Sequence, residues 1–245
     1  MPYESRFYRE WVGLGGGLVA FSVAIRETDL QIRAARDLTS QAFDLATRAR
    51  KEVEDCIGAH PDFLTSLVPL PIPSRNCGSV PLDMLKAGRQ FDVGPMAAIA
   101  GAIAEAVGRG LLKYSPQIIV ENGGDIFLQL DRPATIALYG GPDSPFNRKL
   151  LLEVGAPNKP FGVCTSSGTV GHSLSFGKAD AVVTVADSAA QADAAATYIG
   201  NQIKKAEDIQ PVLSAEQKRG RLRGLLATLG GTLGAWGEIT LKVGE

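Results

Sequence analysis

Two oxygen-bearing side chains are spaced one helical turn apart in an alanine-rich segment of the C-terminal third of the chain. Asp193 and Thr197 stand four residues apart, so a helix would place both on the same face. Their neighbours are alanines, and a buried carboxylate or hydroxyl needs a hydrogen-bonding partner. The pair is compatible with an exposed polar stripe or a local hydrogen bond. It is also compatible with a hard-cation site, because Mg²⁺ prefers carboxylate, carbonyl and water oxygens.

A second polar segment, Asn122-Gly123-Gly124-Asp125, lies between two short apolar runs. Asn-Gly in this position favours a tight hairpin turn, because both residues tolerate positive φ. The two glycines would also expose backbone N–H groups that no side chain covers. Asp125 could then accept a hydrogen bond from a ribose hydroxyl or a ring N–H. A plain turn and a ligand-binding turn both remain open at this point.

Hydroxyl groups are concentrated in a third segment, between Gly162 and Ser173. Hydroxyls beside glycines can form a cradle for an anion or a nucleotide, and the segment supplies Thr165, Ser166, Ser167 and Thr169. A polar strand–loop–strand without a ligand is one alternative. Another is a nucleophile, Cys164 or one of the serines, with His172 as its base, which would need a third group to orient the base.

The surrounding sequence predicts the helices that would position these segments. Apolar residues at spacings of three and four predict a helix over 37–57, and Pro95 opens a second helix at the favoured first-turn position. Ser188 and Gln191 have the spacing of a capping box, which begins a third helix running to about Lys205. A mixed-charge helix is predicted over about 214–229. The proline-containing segment 62–81 is predicted to be a connection.

Short apolar runs separated by turns predict the strands. They fall at 117–121, 126–130, 135–139, 150–154, 161–165, 181–186 and 237–243. Alternation over 19–25, preceded by a glycine-rich turn at 13–17, predicts an N-terminal hairpin. Because four strands follow one another between 117 and 154 without helices, we expect an antiparallel sheet rather than a parallel, doubly wound one.

The composition excludes several functional classes. The chain has 245 residues and a net charge of -1, so no overall field attracts nucleic acid or an anionic membrane. Two histidines cannot form a histidine-rich zinc site. Three cysteines without close spacing are typical of a reducing compartment. Without a secretory-type N-terminus or an apolar run of roughly 18 residues, we expect a soluble, cytoplasmic protein.

The order of these segments resembles that of the ApbE (flavin transferase) superfamily. The stretches VGPMAAIAG, ENGGDI, the hydroxyl-rich loop and ADAAATYIG follow one another over roughly residues 91–203. Each motif alone is weak, but their order and spacing together are fairly specific. With HPDFL and CTSSGTVGHSLSFGKADA included, the whole chain resembles a cytoplasmic branch of that superfamily.

The resemblance implies an α+β fold, ApbE-like, with a mainly antiparallel sheet flanked by helices. It implies one domain over 1–245, in which an N-terminal hairpin and helix lobe (about 1–81) packs on a core (about 82–245). For Mg²⁺ it points to Asp193, Thr197 and the carbonyl of Ala97. For FAD or FMN it points to residues of the turn and the hydroxyl-rich loop: Asn122, Gly123, Gly124, Asp125, Thr165, Ser166 and Ser167.

Two departures from the family pattern bear on activity. The family's histidine-containing H-x-x-D-P-x-T-G segment would fall near 173–180, where this chain has SLSFGKAD, and His172 stands beside it. The lysine of the family's G-x-A-K-G motif is replaced by Ala98. His172 is therefore the candidate catalytic base, and the resemblance supports the fold more strongly than the activity.

Three hypotheses about function follow from the sequence. The first is a Mg²⁺-dependent flavin-nucleotide transferase or hydrolase, and the second is a flavin- or nucleotide-binding protein without transfer chemistry. The third is an unrelated small-molecule enzyme that reuses the pocket, since a fold does not fix a function. In each case we expect a small-molecule ligand, no nucleic-acid or membrane partner, and a homodimer as one assembly to be tested.

Overall fold

A computed structural model describes residues 17–73, 77–138, 140–141, 144–146, 150–155, 158–168 and 176–243. The strands are β1 (Val19–Ile25), β2 (Thr28–Ala34), β3 (Ile118–Asn122), β4 (Asp125–Gln129), β5 (Ala134–Ala137), β6 (Leu150–Val154), β7 (Phe161–Ser166), β8 (Ala181–Ala186), β9 (Gly224–Leu229), β10 (Thr232–Gly237) and β11 (Ile239–Val243). The α-helices are α1 (Thr39–Ala59), α2 (Asp62–Thr65), α3 (Ser79–Phe91), α4 (Ile99–Leu111), α5 (Ala189–Gln202) and α6 (Ile209–Arg219). A 3₁₀ turn over Pro95–Ala98 precedes α4.

Two antiparallel sheets organise the fold. The larger has the strand order β1-β2-β3-β4-β7-β8-β9-β10, and the smaller has the order β11-β6-β5. Each neighbouring pair that the structure describes is antiparallel. The N-terminal hairpin is continuous with the larger sheet, because β2 pairs with β3. This arrangement is the α+β, mainly antiparallel fold that the sequence predicts.

The larger sheet has an apolar core on each face. One core contains the buried faces of α1, α3, α4 and α5 together with alternate residues of the sheet, such as Val120 and Phe127. The other contains the intervening residues, such as Ile119 and Leu128, and residues of the smaller sheet, such as Leu152. Strand alternation therefore divides each central strand between two apolar layers, as the period of two in a strand requires.

The helices at the site are rich in glycine and alanine. Their small side chains let the helices approach each other and the sheet closely. A Cβ on Gly101 of α4 would lie 2.3 Å from the carbonyl oxygen of Ala189 in α5. A Cβ on Gly162 of β7 would lie 2.3 Å from the Cα of Ala189. Glycine is required at these two positions because a Cβ would clash with the backbone of Ala189. The two glycines therefore let α4, α5 and β7 meet at Ala189.

Several predicted elements match closely and others were wrong. Strands β6 and β8 have the predicted bounds, and α5 begins after Ser188, whose hydroxyl accepts from the Gln191 amide at 3.4 Å. The second helix does not start directly at Pro95, because the 3₁₀ turn comes first. The connection predicted over 62–81 includes α2 and the start of α3, which the sequence pattern did not reveal.

The predicted helix over 214–229 was wrong in its position. Helix α6 ends at Arg219, and Gly220 follows it in the left-handed conformation with φ 64°. The apolar run after it forms β9, which is buried between β8 and β10. Strand β10 was not predicted. The N-terminal hairpin turns at Arg26, with φ 52°, and of the glycine-rich turn predicted at 13–17 only Gly17 lies within the described residues.

The described part of the chain contains no single helix long and apolar enough to cross a membrane. Helix α3 and the segment Pro95–Leu111 meet the length and composition criteria only as a pair, and that pair is bent by 105°.

Candidate functional site

The start of α4 is held by a side chain from α5. The residue preceding α4 is Ala98, which forms no side-chain cap. The Gly101 amide donates to Asp193 Oδ2 at 2.9 Å, and the Ala100 amide also donates to the Asp193 carboxylate. Amides at a helix N-terminus have no partner within the helix, and an acidic side chain nearby both accepts from them and offsets the helix dipole. Asp193 therefore caps a helix other than its own.

The start of α5 is held in the same way by a side chain from α4. Glu105 Oε2 accepts from the amides of Ala189 at 2.7 Å and Ala190 at 3.4 Å. Glu105 lies four residues after Gly101, and Asp193 lies four residues after Ala189, so each helix caps the other. Arg109 neutralises Glu105, with its Nε 2.7 Å from Glu105 Oε1. This reciprocal capping fixes the crossing of α4 and α5.

The turn between β3 and β4 lies against the start of α4. Gly123 and Gly124 have φ of 69° and 104°, which is the positive-φ geometry of a two-residue hairpin. Asn122 Nδ2 donates to the Ala100 carbonyl at 3.1 Å, and the Gly124 amide donates to Glu121 Oε1 at 2.8 Å. A Cβ on Gly124 would meet no atom within 4 Å, so the turn borders open space.

Asp125 completes the site from the first residue of β4. Its Oδ1 accepts from the Thr165 amide at 3.3 Å, and the Cys164 thiol lies beside its carboxylate. Burial raises the pKa of Asp125 well above its ordinary value, and the negative charges of Asp193 and Glu121 raise it further. Burial likewise raises the pKa of Asp193 from 3.8 to about 7, although the amides of Gly101 and Ala100 oppose the shift. Two carboxylates with raised pKa values therefore interact within this site, and only one of them, Asp193, caps α4.

The hydroxyl-rich segment borders the same face of α5. Thr165 and Ser166 end β7, Ser167 follows, and all three are half-buried. A Cβ on Gly200 of α5 would lie 3.6 Å from Ser166 Oγ. Gly200 is seven residues after Asp193, which is nearly two full helical turns, so both residues lie on one face of α5. Thr197, which is also half-buried, lies between them along that face.

The nucleophile hypothesis is not supported at Cys164. Its thiol is buried and lies 3.3 Å from the Ala189 carbonyl, to which it donates. Burial, together with the charges of Asp125 and Asp193, raises the pKa of Cys164 well above its ordinary value. A protonated, buried thiol is a poor nucleophile. His172, the predicted base, lies outside the described residues.

The structure thus places ten of the eleven predicted site residues on four adjoining elements: the turn before α4, the β3–β4 hairpin, the end of β7, and α5. Contacts join Asn122 and Asp193 to the start of α4, and join Asp125 to Thr165. Sequence reasoning missed Glu105 and the amides of Ala100 and Gly101. No local sequence pattern could have revealed them, because Glu105 and Asp193 bond to residues 84 and 92 positions away.

The donors at this site fit a hard cation that also contacts a ligand. Carboxylate, hydroxyl, amide and carbonyl oxygens are available, and these are the ligands that Mg²⁺ takes. Among the residues the structure describes, no group of three or more histidine, cysteine, aspartate or glutamate side chains is arranged to hold a metal ion. Mg²⁺ is commonly bound by one or two carboxylates plus the phosphates of a substrate. Asp125 and Asp193 supply that number.

Comparison with known proteins agrees with this architecture. A family model described as "AbpE bacteria" matches residues 9–218. A UPF0280 protein of Methanococcus aeolicus is 37% identical over 227 residues, covering 90% of this chain and 91% of the relative. A UPF0280 protein of Methanothermobacter thermautotrophicus is 39% identical over 225 residues, covering 89% of this chain and 85% of the relative.

Solved structures show the same fold at low sequence identity. The flavin transferase ApbE from Vibrio cholerae aligns with a TM-score of 0.56 and 15% identity, covering 93% of this chain and 97% of that one. The apo form of the Pseudomonas stutzeri flavinyl transferase ApbE aligns with a TM-score of 0.57 and 12% identity, covering 93% and 94%. On the family model, the UPF0280 relatives and the shared fold, this chain belongs to the AbpE bacteria family and is an ApbE-like protein.

Proposed function

We propose that the protein binds a flavin nucleotide, FAD or FMN, together with Mg²⁺ at the junction of the β3–β4 turn, the start of α4 and α5. The observation that carries the proposal is the pair of neighbouring carboxylates: Asp193 accepts from the first amides of α4, Asp125 accepts from the Thr165 amide, and the charge of Asp193 raises the pKa of Asp125. Two adjacent carboxylates are unfavourable when both are ionised, and a divalent cation relieves that repulsion. The named activity of the structural relatives supports flavin as the ligand.

The residues of the site divide between the cation and the nucleotide. Asp193, Thr197 and the Ala97 carbonyl would hold the cation, with Asp125 facing Asp193. The glycine turn would offer its backbone to the nucleotide, and the hydroxyls of Thr165, Ser166 and Ser167 would border it. When bound, Mg²⁺ would offset the negative charge of the nucleotide phosphates.

The test is calorimetric titration of Mg²⁺ in the presence and absence of FAD. It is made at pH 8, above the pKa of about 7 of Asp193, so that protons do not occupy that carboxylate. We expect nucleotide-dependent binding in the wild type and a loss of about tenfold or more in Asp193→Asn and in Asp125→Asn. Asp55→Asn is the control, because Asp55 is an exposed partner of Lys51 on α1. Equal Mg²⁺ binding by wild type and Asp193→Asn would reject the cation site.

A purely structural role for Asp193 is separated by the same variants. If Asp193 only caps α4, replacement by asparagine preserves an acceptor oxygen for the Gly101 amide. In that case neither the free energy of unfolding nor Mg²⁺ binding should change much. Loss of Mg²⁺ binding without loss of stability therefore distinguishes a ligand from a cap. Absorbance of the protein with and without added FAD separates a flavin site from a site for an unrelated small molecule.

Within this function, we propose that the protein binds the nucleotide but transfers FMN poorly to a threonine of a target protein. Two departures support this: SLSFGKAD stands where the family has its histidine-containing segment, and Ala98 stands where the family has lysine. Transfer would require the acceptor hydroxyl to lose a proton, and His172 is the candidate base because an ordinary imidazole titrates near neutral pH. FMN transfer or FAD hydrolysis at a low rate remains the catalytic alternative.

Mass spectrometry of a threonine-containing target peptide, incubated with protein, FAD and Mg²⁺, measures the transfer. We expect little flavinylated peptide from the wild type. Efficient flavinylation would contradict the proposal, and its loss in His172→Ala would then assign His172 as the base.

A further inference from the structure

Two cysteines outside the candidate site lie where α1 ends against the chain that enters α3. Cys56 is in the last turns of α1, and Cys77 is two residues before α3. Glu52, one turn before Cys56, accepts from the Val80 amide at 3.0 Å and from the Ser79 hydroxyl at 3.2 Å. The start of α3 is therefore docked on the α1 turn at Glu52, which brings Cys77 to the next turn.

The two thiols are in contact. Cys56 is buried in the helix-side core, and Cys77 is half-buried and packs against the same core. The thiols also interact through a hydrogen bond. Cys164 is separate from this pair, because it lies in β7 and donates to the Ala189 carbonyl.

We propose that Cys56 and Cys77 are a site of reversible oxidation, forming an intramolecular disulfide by exchange with a low-molecular-weight disulfide such as oxidised glutathione. Cys77 attacks the glutathione disulfide as a thiolate, which forms a protein–glutathione mixed disulfide and releases one glutathione thiol. Cys56 then attacks the sulfur of Cys77, loses its proton, and releases the second glutathione thiol. The protein gives up two electrons and two protons, and the glutathione disulfide takes up both as it becomes two thiols.

The environments of the two sulfurs set this order. Burial and the neighbouring Cys77 raise the pKa of Cys56 to about 12, so little of it is thiolate and it reacts second, where its position beside Cys77 offsets the small thiolate fraction. Cys77 is the more exposed sulfur and is the one that a soluble disulfide reaches. Contact between the thiols makes the second step intramolecular, which favours it over attack by another protein molecule.

The disulfide would close the loop formed by residues 57–76. This loop carries large apolar side chains that are exposed to solvent: Leu64, Leu67, Val68 and Ile72. The backbone of this segment also packs against the chain just before the candidate site, because a Cβ on Gly94 would lie 1.8 Å from the Ser66 carbonyl oxygen. Gly94 directly precedes the Pro95–Ala98 turn. Oxidation would therefore restrain a segment that packs beside the start of α4.

The experiment equilibrates the full, reduced chain with oxidised glutathione, blocks the remaining thiols by alkylation, and maps the peptides by mass spectrometry. We expect the wild type to lose two hydrogen atoms and to yield a peptide pair linked through Cys56 and Cys77. Cys56→Ser should stop at the mixed disulfide on Cys77, and Cys77→Ser should form neither product. Cys164→Ser is the control and should behave as the wild type.

Two results would overturn the inference. One is a wild-type protein that accumulates stable glutathione on Cys77, which would show that Cys56 cannot reach it. The other is a wild-type protein that stays fully reduced over the glutathione ratios tested. Where the linked peptides form, closing a loop of this length should raise the Tm of the oxidised protein by about 5 °C or more over the reduced protein.

Discussion

Glu105 and Asp193 perform the same structural task on facing helices but lie in opposite electrostatic surroundings. Each accepts from the first amides of the other's helix. Glu105 is paired with Arg109, whose Nη2 lies 2.6 Å from its Oε1. In the described part of the chain, no lysine or arginine forms a salt bridge with Asp193, and the charge of Asp193 raises the pKa of Asp125.

The comparison separates a structural carboxylate from a candidate functional one. A buried acid that serves only packing is best stabilised by a neighbouring cation, as Glu105 is. Asp125, a second acid beside Asp193, destabilises the protein when no cation is bound. Packing alone does not explain such a pair. Ionisable groups with perturbed pKa values cluster at functional sites. Arg109 supplies a positive charge to Glu105, and a bound Mg²⁺ would supply one to Asp193.

Among single substitutions, the largest effect should come from removing the structural member of the pair. Glu105→Ala leaves two amides of α5 and the Arg109 guanidinium without their acceptor, so we expect the free energy of unfolding to fall by about 3 kcal/mol. Urea denaturation measures this loss, and Glu105→Gln, which preserves an acceptor oxygen, should lose less. A loss no greater than that of the surface variant Asp55→Asn would show that the capping by Glu105 contributes little.

The next effect concerns the point where the two caps meet. Gly101→Ala introduces a Cβ 2.3 Å from the Ala189 carbonyl oxygen and 2.9 Å from Asp193 Cβ, so the helices must move apart. We expect a loss of about 2 kcal/mol in the free energy of unfolding, and weaker Mg²⁺ binding because Asp193 shifts.

Gly58→Ala on α1 is the matched control, since its Cβ would meet no atom within 4 Å. Alanine favours a helix over glycine, so that variant should be as stable as the wild type or more so. Equal stability of Gly101→Ala and the wild type would contradict the close helix crossing.

Asp193 should also give the cation-free protein a pH-dependent stability. Its pKa is raised from 3.8 to about 7, so the folded state favours the protonated carboxyl. This contribution is fully present below pH 3.8 and is lost as the pH rises towards about 7, by at most about 1.4 kcal/mol per pH unit. Denaturation at several pH values, compared with Asp193→Asn, isolates the effect, because asparagine does not titrate. Parallel pH profiles for the two proteins would contradict the raised pKa.

The sequence predicted the parts of the site that depend on local spacing. The β3–β4 hairpin follows from Asn-Gly between apolar runs, and the start of α5 follows from Ser188 and Gln191. The antiparallel sheet follows from consecutive strands without intervening helices. These patterns act over a few residues, so the sequence contains the information directly.

The contacts that assemble the site are distant in sequence and could not be predicted. The Gly101–Asp193 hydrogen bond joins residues 92 positions apart, and the Glu105–Ala189 bond joins residues 84 positions apart. Strand β10 was missed because Gly231, Gly234 and Gly237 weaken its apolar pattern, and pairing with β9 stabilises it instead. The 3₁₀ turn before α4 could not be distinguished from a helix start, because Pro95 suits both.

The smallest stability effect, and the sharpest test of the open side of the site, is at the glycine turn. Gly124 has φ 104°, and a Cβ there would meet no atom within 4 Å. Gly230, in the turn between β9 and β10, has φ 57° and the same open surroundings, and no candidate site residue lies in that turn.

Gly124→Val and Gly230→Val should each lose about 1 kcal/mol, because a residue with a Cβ is strained at positive φ. If the Gly123-Gly124 turn lies against the nucleotide, only Gly124→Val should lose FAD binding, since the added side chain would occupy the space of the ligand. Circular dichroism melts beside FAD titrations with Mg²⁺ measure both quantities for both variants. Unchanged FAD affinity in Gly124→Val would show that the turn serves the hairpin alone, and the ligand would then have to contact α5 without it.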